Sequence, residues 1–336
     1  MNKKYFRFSQ ATVAYYPAES FQSLKHIADQ RTTVLLTDEN VFSAHTKKFR
    51  NWNTIILKPG EAYKNQAAVD SIIEELIGLK CDRNFTLVGV GGGVVTDITG
   101  YVAGIYMRGI RFGFVPTSLL AMVDASIGGK NGVDVGVYKN MAGLIRQPSF
   151  ILHDLNFLAS LPDAEWYNGF AEIIKHASVK DAAMFKELEQ SSPALFMKNK
   201  KLAGELIQKN VRLKHKVVMK DEFETGERKL LNFGHTLGHA IENLYALSHG
   251  RSIAIGMSFA AKLSENLLGF KQRERVEALL EKYQLPVQLD YEKGKVLEVL
   301  TMDKKRSGTT INFILIKKTG QGIIHPISLN QLAEEL

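Results

Sequence analysis

The sequence predicts an α/β fold in two parts, an N-terminal parallel-sheet domain over residues 1–154 and a mainly α-helical C-terminal domain over residues 155–336. Three observations support this prediction. Short apolar segments alternate with helical patterns in the first third of the chain, and a glycine-rich turn joins one of these segments to a helix. After about residue 155, long helical patterns dominate.

The N-terminal part is predicted to contain strands that alternate with helices. The segments 32–38, 53–57 and 84–90 are short and rich in apolar and β-branched residues, which favours buried strands. Residues 67–79 have apolar side chains at helical spacing, and a further helix is expected at 94–107. Strand, glycine turn and helix in series indicate a parallel sheet.

The C-terminal part is predicted to be mostly helical, with one late pair of strands at 311–316 and 322–325. The helices are expected at 165–180, 182–190, 199–219, 233–245, 251–268 and 273–283.

The composition is that of an ordinary globular protein, with 45% apolar and 23% charged residues. The formal charge of +8 raises the question of a nucleic-acid partner. However, the lysines are scattered, and the densest run (Lys198, Lys200 and Lys201) lies on an expected helix. A small anionic substrate needs only a few of these charges, so we predict no nucleic-acid partner.

No membrane partner is predicted either, because no apolar run approaches the ~20 residues that a membrane span requires. The basic residues near the start are not followed by the apolar core of a signal peptide. The single cysteine, Cys81, excludes a disulfide within the chain and suits a reducing compartment. We therefore expect a cytoplasmic location.

A glycine turn at 89–97 (GVGGGVVTD) follows an expected strand and opens an expected helix. Glycine leaves room for an anion to approach the backbone amides at the start of a helix. The turn differs from the standard dinucleotide fingerprint, because Val94 stands at the third glycine position and no acidic residue is found where the ribose would bind. Phosphate binding and a tight structural corner both remain open.

The segment 108–140 is dense in polar side chains set between glycines. Its candidate residues are Arg108, Thr117, Ser118, Asp124, Lys130, Lys139 and Asn140. Several cationic and amide groups from glycine-rich loops suit a phosphorylated, carboxylated ligand. A flexible surface loop is the alternative, although residues 115–120 are too apolar for a simple exposed loop.

Two histidines, His235 and His239, are four residues apart and project from one face of an expected helix. With Glu172 upstream and His249 downstream, the chain offers the two imidazoles and one carboxylate typical of a catalytic zinc site. The spacing alone does not decide which of the three histidines are ligands.

Taken together, these segments resemble the 3-dehydroquinate synthase family of sugar-phosphate cyclases. The matching stretches keep the family's order over roughly residues 38 to 305. They are 59–64 (PGEAYK), 91–97 (GGGVVTD), 106–109 (YMRG), 115–124 (VPTSLLAMVD), 128–132 (GGKNG), 139–141 (KNM), 171–176 (AEIIKH), 231–240 (LNFGHTLGHA), 249–250 (HG) and 303–305 (DKK).

The resemblance implies a Zn²⁺ or Co²⁺ site made by Glu172, His235 and His249, with His239 contacting the substrate. It also implies NAD bound against the glycine turn. The residues at the cofactor-binding positions are Asp38, Asn40, Glu61, Lys64, Gly92, Gly93, Val94, Asp97, Thr117, Ser118, Lys130, Lys139 and Phe157.

The implied reaction converts 3-deoxy-D-arabino-heptulosonate 7-phosphate to 3-dehydroquinate and phosphate by transient oxidation, phosphate elimination, re-reduction and aldol closure. The residues at catalytic positions are Lys130, Asn140, Lys175, Arg228, Asn232 and His239. Further substrate-binding positions are Arg108, Asp124, Lys214, Lys304 and Lys305, of which one of the last two contacts the phosphate. The resemblance also implies a homodimer in which Arg108 reaches the phosphate of the neighbouring subunit.

Four residues depart from the family pattern. Thr96 replaces a common glycine in the turn, Asn131 and Asp134 replace a threonine and an asparagine, and Arg251 stands where a glutamate is common. Asp134 thereby adds a carboxylate near the expected phosphate pocket.

Three alternatives remain open: a cyclase acting on sedoheptulose 7-phosphate, a metal-dependent polyol dehydrogenase and a relative that binds a metabolite without catalysis. The first fits less well because Arg228, Asn232 and His239 match the pattern for a carboxylated substrate. Polyol dehydrogenases of this kind lack counterparts of Lys130, Lys139, Asn140 and Lys175. A relative that only binds a metabolite would not need all three metal ligands.

Overall fold

The computed structural model describes residues 1–136, 138–301, 306–307 and 310–336. Lys304 and Lys305, one of which is predicted to contact the phosphate, lie outside the described residues. The described chain divides into two compact units. The first comprises Met1–Trp166 and Ala203–Glu222, and the second comprises Tyr167–Leu202 and Phe223–Leu336.

The first unit is built on a seven-stranded sheet. Its strands, with those of an adjoining hairpin, are β1 (Lys4–Arg7), β2 (Thr12–Tyr16), β3 (Thr33–Asp38), β4 (Asn53–Leu57), β5 (Thr86–Gly91), β6 (Arg111–Pro116), β7 (Lys130–Val135), β8 (Tyr138–Ile145) and β9 (Phe150–Leu152). The strand order in the sheet is β1-β2-β9-β6-β5-β3-β4. Only the edge pair β1–β2 is antiparallel within it.

The three helices that follow strands β3, β4 and β5 are α1 (Glu39–Phe49), α2 (Gln66–Gly78) and α3 (Gly93–Ile105). Strands β3 and β5 are almost entirely buried, as expected for central parallel strands. Leu35 and Val88 meet Phe150 and Phe21 in one apolar cluster beside the sheet. The predicted parallel α/β sheet is therefore confirmed, and the predicted strand at 53–57 coincides with β4.

The second unit is largely helical, as predicted. The remaining helices of the chain are α4 (Asp163–Lys180), α5 (Ala182–Gln190), α6 (Pro193–Lys198), α7 (Lys200–Lys220), α8 (His235–Tyr245), α9 (His249–Leu268), α10 (Arg273–Lys282), α11 (Lys293–Thr301) and α12 (Leu329–Glu335). The predicted late strands belong to a sheet of β10 (Arg306–Ser307), β11 (Thr310–Lys318) and β12 (Gln321–Ser328). No helix among the described residues is long and apolar enough to cross a membrane.

Helices α8 and α9 pack closely because two glycines meet between them. A Cβ at Gly256 would lie 1.9 Å from the carbonyl oxygen of Gly234, so no other residue fits at 256 without a shift. Gly234 itself has a φ of +81°, a left-handed conformation that favours glycine. This contact holds the first turn of α8, which begins with His235, against α9.

A buried histidine couples the stability of the first unit to pH. The His153 side chain is 1% exposed, and burial lowers its pKa to about 3. Because the unfolded chain binds this proton near pH 6.5, native stability is present above that pH and decreases as the pH falls towards 3. We expect His153→Gln to reduce the acid-dependent loss between pH 6 and 4 by up to about 1.4 kcal/mol per pH unit, measured by urea unfolding. Identical pH profiles for the two proteins would contradict this.

Candidate functional site

A buried ion pair lies on α4 in the second unit. Glu172 and Lys175 are one helical turn apart and therefore share a face, and their side chains are 1% and 3% exposed. The Lys175 ammonium contacts Oε2 of Glu172. A carboxylate removed from water to this extent needs fixed positive charge, which the lysine supplies.

Two imidazoles approach the other oxygen of the same carboxylate. Oε1 of Glu172 lies 3.6 Å from Nε2 of His235 and 3.3 Å from Nε2 of His249. Tetrahedral zinc with bonds of roughly 2.1 Å separates its ligand atoms by about 3.4 Å. The spacing of the three donors therefore fits a Zn²⁺ or Co²⁺ ion, and three protein ligands leave a coordination position open for substrate.

His239 belongs to a second group of donors that overlaps the first. It lies one turn beyond His235 on α8, with the two ring centroids 5.2 Å apart. The ligand atoms of His239, Glu242 and His249 also lie within 4.8 Å of one another. Both groups contain His249, so the geometry supports His249 as a metal ligand in either case. His239 is the alternative to His235 as the second histidine ligand.

Two residues outside the predicted set hold His249. Nδ1 of His249 lies 3.1 Å from Oε2 of Glu242, which points Nε2 towards Glu172. At the start of α9, Oδ1 of Asn168 accepts hydrogen bonds from the Ser248 hydroxyl at 2.8 Å and the Gly250 N–H at 3.1 Å. The helical spacing of Glu242 from His235 and His239 was the sequence signal that could have identified it.

The charge state of His249 follows from these partners. Burial on its own lowers the pKa of His249, but the hydrogen bonds and charges of Glu172 and Glu242 outweigh it and raise the pKa to about 10. In the absence of a metal, the imidazolium thus offsets part of the charge of two carboxylates. The negative charges of Glu172 and Glu242 therefore stabilise a positive charge at His249.

Removal of the Glu242 carboxylate should weaken metal binding without removing a ligand. We expect Glu242→Ala to lower the affinity for Zn²⁺ about 10- to 100-fold, because Nδ1 of His249 would lose the partner that orients the ring. Glu242→Gln keeps an acceptor oxygen and should lose less. Competition with a chromophoric chelator measures both affinities, and an unchanged affinity in Glu242→Ala would argue against this role.

The segment before α8 positions two further predicted residues. Arg228 lies in a 3₁₀ turn at Glu227–Asn232 and is 2% exposed. The side-chain amide of Asn232 donates to Oε1 of Glu224, whose φ of +59° is unusual for a residue other than glycine. Glu224 was not predicted, and it places the Asn232 side chain.

The glycine turn lies in the first unit, between β5 and α3. A Cβ at Gly91 would lie 2.5 Å from the side chain of Val95, so the close approach of turn and helix requires glycine there. The Thr117 N–H donates to the Gly91 carbonyl at 2.9 Å. Ser118 also lies beside the turn, because its Oγ would be 3.5 Å from a Cβ placed on Gly92. Gly92 caps α3 without a side chain, which leaves its first amides accessible to an anion.

Beside this turn, predicted residues from distant parts of the chain form one network. The buried Lys64 Nζ lies 2.6 Å from Oδ2 of Asp97 and 2.6 Å from Oδ1 of Asn140. Oε1 of Glu61 lies 3.8 Å from Lys64 Nζ and 3.2 Å from Lys139 Nζ. The carboxylates thus fix two ammonium groups in place.

The electrostatics of the network keep Lys64 charged. Burial on its own lowers the pKa of Lys64, but the charges of Asp97 and Glu61 outweigh it, and the pKa is raised. Burial raises the pKa of Asp97, and Lys64 offsets only part of that effect. Fixed cations and helix amides in one place can bind a diphosphate and its neighbouring hydroxyls.

The other predicted residues of the first unit occupy separate positions. The Lys214 ammonium lies 2.9 Å from Oδ1 of Asp124 and donates to the Asp124 backbone carbonyl at 2.7 Å. Asp38 caps α1 by accepting from the Val41 N–H at 3.0 Å, and burial raises its pKa. Phe157 lies in the apolar cluster, where the Lys48 ammonium is 4.8 Å from its ring centroid.

Three exposed predicted residues complete the set in the first unit. Asn40 lies on α1 and Lys130 begins β7. Arg108 follows the C-terminal end of α3, about 20 Å from the glycine turn at the other end of that helix. Within one chain, the structure therefore separates Arg108 from the turn.

The departures from the family pattern differ in their local roles. The Thr96 hydroxyl donates to the Gly93 carbonyl at 2.9 Å within α3. The Asn131 amide donates to the carbonyls of Gly129 and Arg146 at 2.7 and 3.0 Å and closes the base of the β7–β8 hairpin. Arg251 is exposed in the first turn of α9.

Comparison with known families divides the chain into two matching parts. Residues 54–168 match a model described as 3-dehydroquinate synthase N-terminal, and residues 169–306 match one described as 3-dehydroquinate synthase C-terminal. The chain is 42% identical over 276 residues to the 3-dehydroquinate synthase of Campylobacter concisus, with 80% of this chain and 79% of the relative covered.

Solved structures share the fold. A 2-epi-5-epi-valiolone synthase from Streptomyces hygroscopicus subsp. jinggangensis, with NAD⁺ and Zn²⁺ bound, superposes with a TM-score of 0.88 at 23% identity, covering 100% of this chain and 98% of the other. A 2-deoxy-scyllo-inosose synthase complexed with carbaglucose-6-phosphate, NAD⁺ and Co²⁺ has a TM-score of 0.86 at 23% identity, with coverage of 99% and 98%. At this identity the likeness establishes the fold.

Proposed function

The chain belongs to the 3-dehydroquinate synthase family, and from that premise we propose that it converts 3-deoxy-D-arabino-heptulosonate 7-phosphate to 3-dehydroquinate and phosphate. The observation that carries this proposal is the donor set Glu172, His235 and His249 with Lys175 beside it, inside the matched C-terminal region. The enzyme is a carbon–oxygen lyase that depends on NAD⁺ and a divalent metal.

The metal is held by Glu172, His235 and His249, and the chemistry of the donors suits Zn²⁺ and Co²⁺ alike. When bound, the metal acts as a Lewis acid on substrate hydroxyls. Glu242 orients His249, and the Lys175 ammonium contacts the Glu172 carboxylate. His239 is proposed to contact the substrate and not the metal.

NAD⁺ is proposed to bind at the glycine turn, where the amides at the start of α3 and the network of Lys64, Asp97 and Lys139 would hold its diphosphate and hydroxyls. When bound, it would supply reversible hydride transfer within one turnover. The net reaction is therefore an elimination and a ring closure without net redox change.

The substrate carries a phosphate and a carboxylate, and the chain offers cations and amides for both. We propose that Lys130, Lys175 and Arg228 supply positive charge, while Asn140, Asn232 and His239 orient hydroxyls. Lys175 and Arg228 are almost fully buried, so their charges act with little screening by water. Orientation of a reactive intermediate then accounts for much of the catalysis.

The decisive experiment measures phosphate release from the heptulosonate phosphate by the purified protein with NAD⁺ and Zn²⁺. We expect turnover that stops when the metal is removed by a chelator and returns when Zn²⁺ is restored. Release of phosphate only from sedoheptulose 7-phosphate would assign the chain to another cyclase activity. Accumulation of NADH with a polyol would assign it to a dehydrogenase.

We further propose a homodimer in which Arg108 reaches the phosphate bound by the partner subunit. Its position at the far end of α3 from the glycine turn supports this arrangement. A cytoplasmic location is proposed with it, because the buried Cys81 is a free thiol suited to a reducing compartment. Sedimentation analysis tests the dimer, and a monomer at working concentrations would contradict it.

A further inference from the structure

Asp134, one of the departures from the family pattern, lies at an irregularity in the β7–β8 hairpin. The pairing of the two strands shifts register between Val133 and Val135. The Asp134 N–H donates to the carbonyl of Lys64 at 2.8 Å, so the backbone at this point is tied to the proposed cofactor site.

The carboxylate of Asp134 makes two contacts of different kinds. Oδ1 accepts the backbone N–H of Asn140 at 2.7 Å, and Oδ2 lies 3.2 Å from the ammonium of Lys139. Asn140 has a φ of +53°, a conformation that asparagine tolerates better than most residues and that a side-chain acceptor can stabilise. The side chain of Asp134 is 12% exposed, so both contacts are largely shielded from water.

The two contacts have opposite effects on an anionic ligand. The first holds Asn140 where its Oδ1 accepts from Lys64, and so keeps the network in order. The second places a negative charge against Lys139, which already contacts Glu61. Two carboxylates thus share the charge of one lysine, and this reduces the attraction that Lys139 exerts on phosphate oxygens.

We propose that Asp134 is a positioning residue that sets the affinity for NAD⁺: its Oδ1 orders the Asn140 backbone, and its charge offsets that of Lys139. The inference rests on the proposed binding of NAD⁺ at this network. Asparagine at 134 would keep the acceptor and remove the charge. Asp134 therefore makes cofactor binding weaker than the same geometry would otherwise allow.

Two variants separate position from charge. Asp134→Asn should bind NAD⁺ about three- to tenfold more tightly than the natural chain at low salt, because one negative charge is removed while the Asn140 contact stays. Asp134→Ala removes both and should bind at least about tenfold more weakly than Asp134→Asn. Isothermal titration or NADH fluorescence with the metal-loaded protein measures both affinities.

Salt and a matched variant serve as controls. The gain in Asp134→Asn should decrease in part in 0.5 M salt (~4 Å Debye length), because the anionic ligand approaches from solvent, whereas a purely structural effect would not depend on salt. Asp70→Asn removes an exposed carboxylate from α2 in the same unit and should leave NAD⁺ affinity unchanged. Retained Zn²⁺ and an unchanged melting temperature identify folded variants.

Equal affinities for the natural chain, Asp134→Asn and Asp134→Ala overturn this inference and leave the proposed function intact. Equal weakening in both variants also overturns it, because the charge would then have no separate effect. If the natural chain does not bind NAD⁺ at all, both the inference and the proposed cofactor fail.

Discussion

His249→Ala should abolish metal retention. His249 belongs to both groups of donors, so its removal leaves neither group complete. Structural Zn²⁺ in zinc-finger peptides is bound with about 10 to 16 kcal/mol, so one protein ligand supplies several kcal/mol, and the loss of one of three should lower affinity by at least about a hundredfold. Metal content after dialysis and chelator competition measure this directly.

His239→Ala is the matched test of the ligand assignment. If Glu172, His235 and His249 hold the metal, this variant retains Zn²⁺ and loses substrate affinity, seen as a raised KM. Equal metal loss in His239→Ala and His249→Ala, with metal retained in His235→Ala, would transfer the ligand role to the group of His239, Glu242 and His249. The two outcomes differ in metal content, which does not depend on measured activity.

The sequence identified the elements whose patterns are strongest and missed those made by pairing. Strand β4 and helix α5 coincide with their predicted bounds, because each is a continuous apolar or amphipathic segment. The sequence allows a flexible surface loop over 108–140, and this alternative is wrong for residues 130–135 and 138–140, which belong to the paired strands β7 and β8. The glycines and polar residues of this hairpin resemble a loop until cross-strand pairing is known.

For the site, the sequence predicted residue types better than their partners. The Lys64–Asn140 contact joins residues 76 positions apart, and only the fold brings them together. Glu242 could have been recognised from helical spacing, yet it lies beyond the 231–240 stretch on which the resemblance rests. Only the three-dimensional structure shows that Asp134, which departs from the family pattern, contacts Lys139 and Asn140, two residues predicted to bind cofactor or substrate.

The buried pair of Lys175 and Glu172 should make a large and metal-dependent contribution to stability. In the metal-free protein, Lys175→Met leaves a carboxylate that is 1% exposed without its ammonium partner. We expect a loss of about 3 kcal/mol in the free energy of unfolding, because the His249 imidazolium is shared with Glu242 and offsets the buried charge of Glu172 only in part. Saturating Zn²⁺ should restore much of it, since the ion supplies positive charge to Glu172.

Lys180→Met on the same helix is the control for this prediction. Lys180 contacts Glu227 at 2.6 Å, but the two side chains are 19% and 38% exposed, so their loss should cost no more than about 1 kcal/mol with or without metal. Urea unfolding of both variants in the two metal states measures these differences.

Turnover of metal-loaded Lys175→Met should still fall about 100-fold or more. Zn²⁺ offsets the negative charge of Glu172, but it does not replace the ammonium group that Lys175 offers to the substrate. If stability is lost equally in both metal states, Lys175 acts through packing and not through the charge of Glu172.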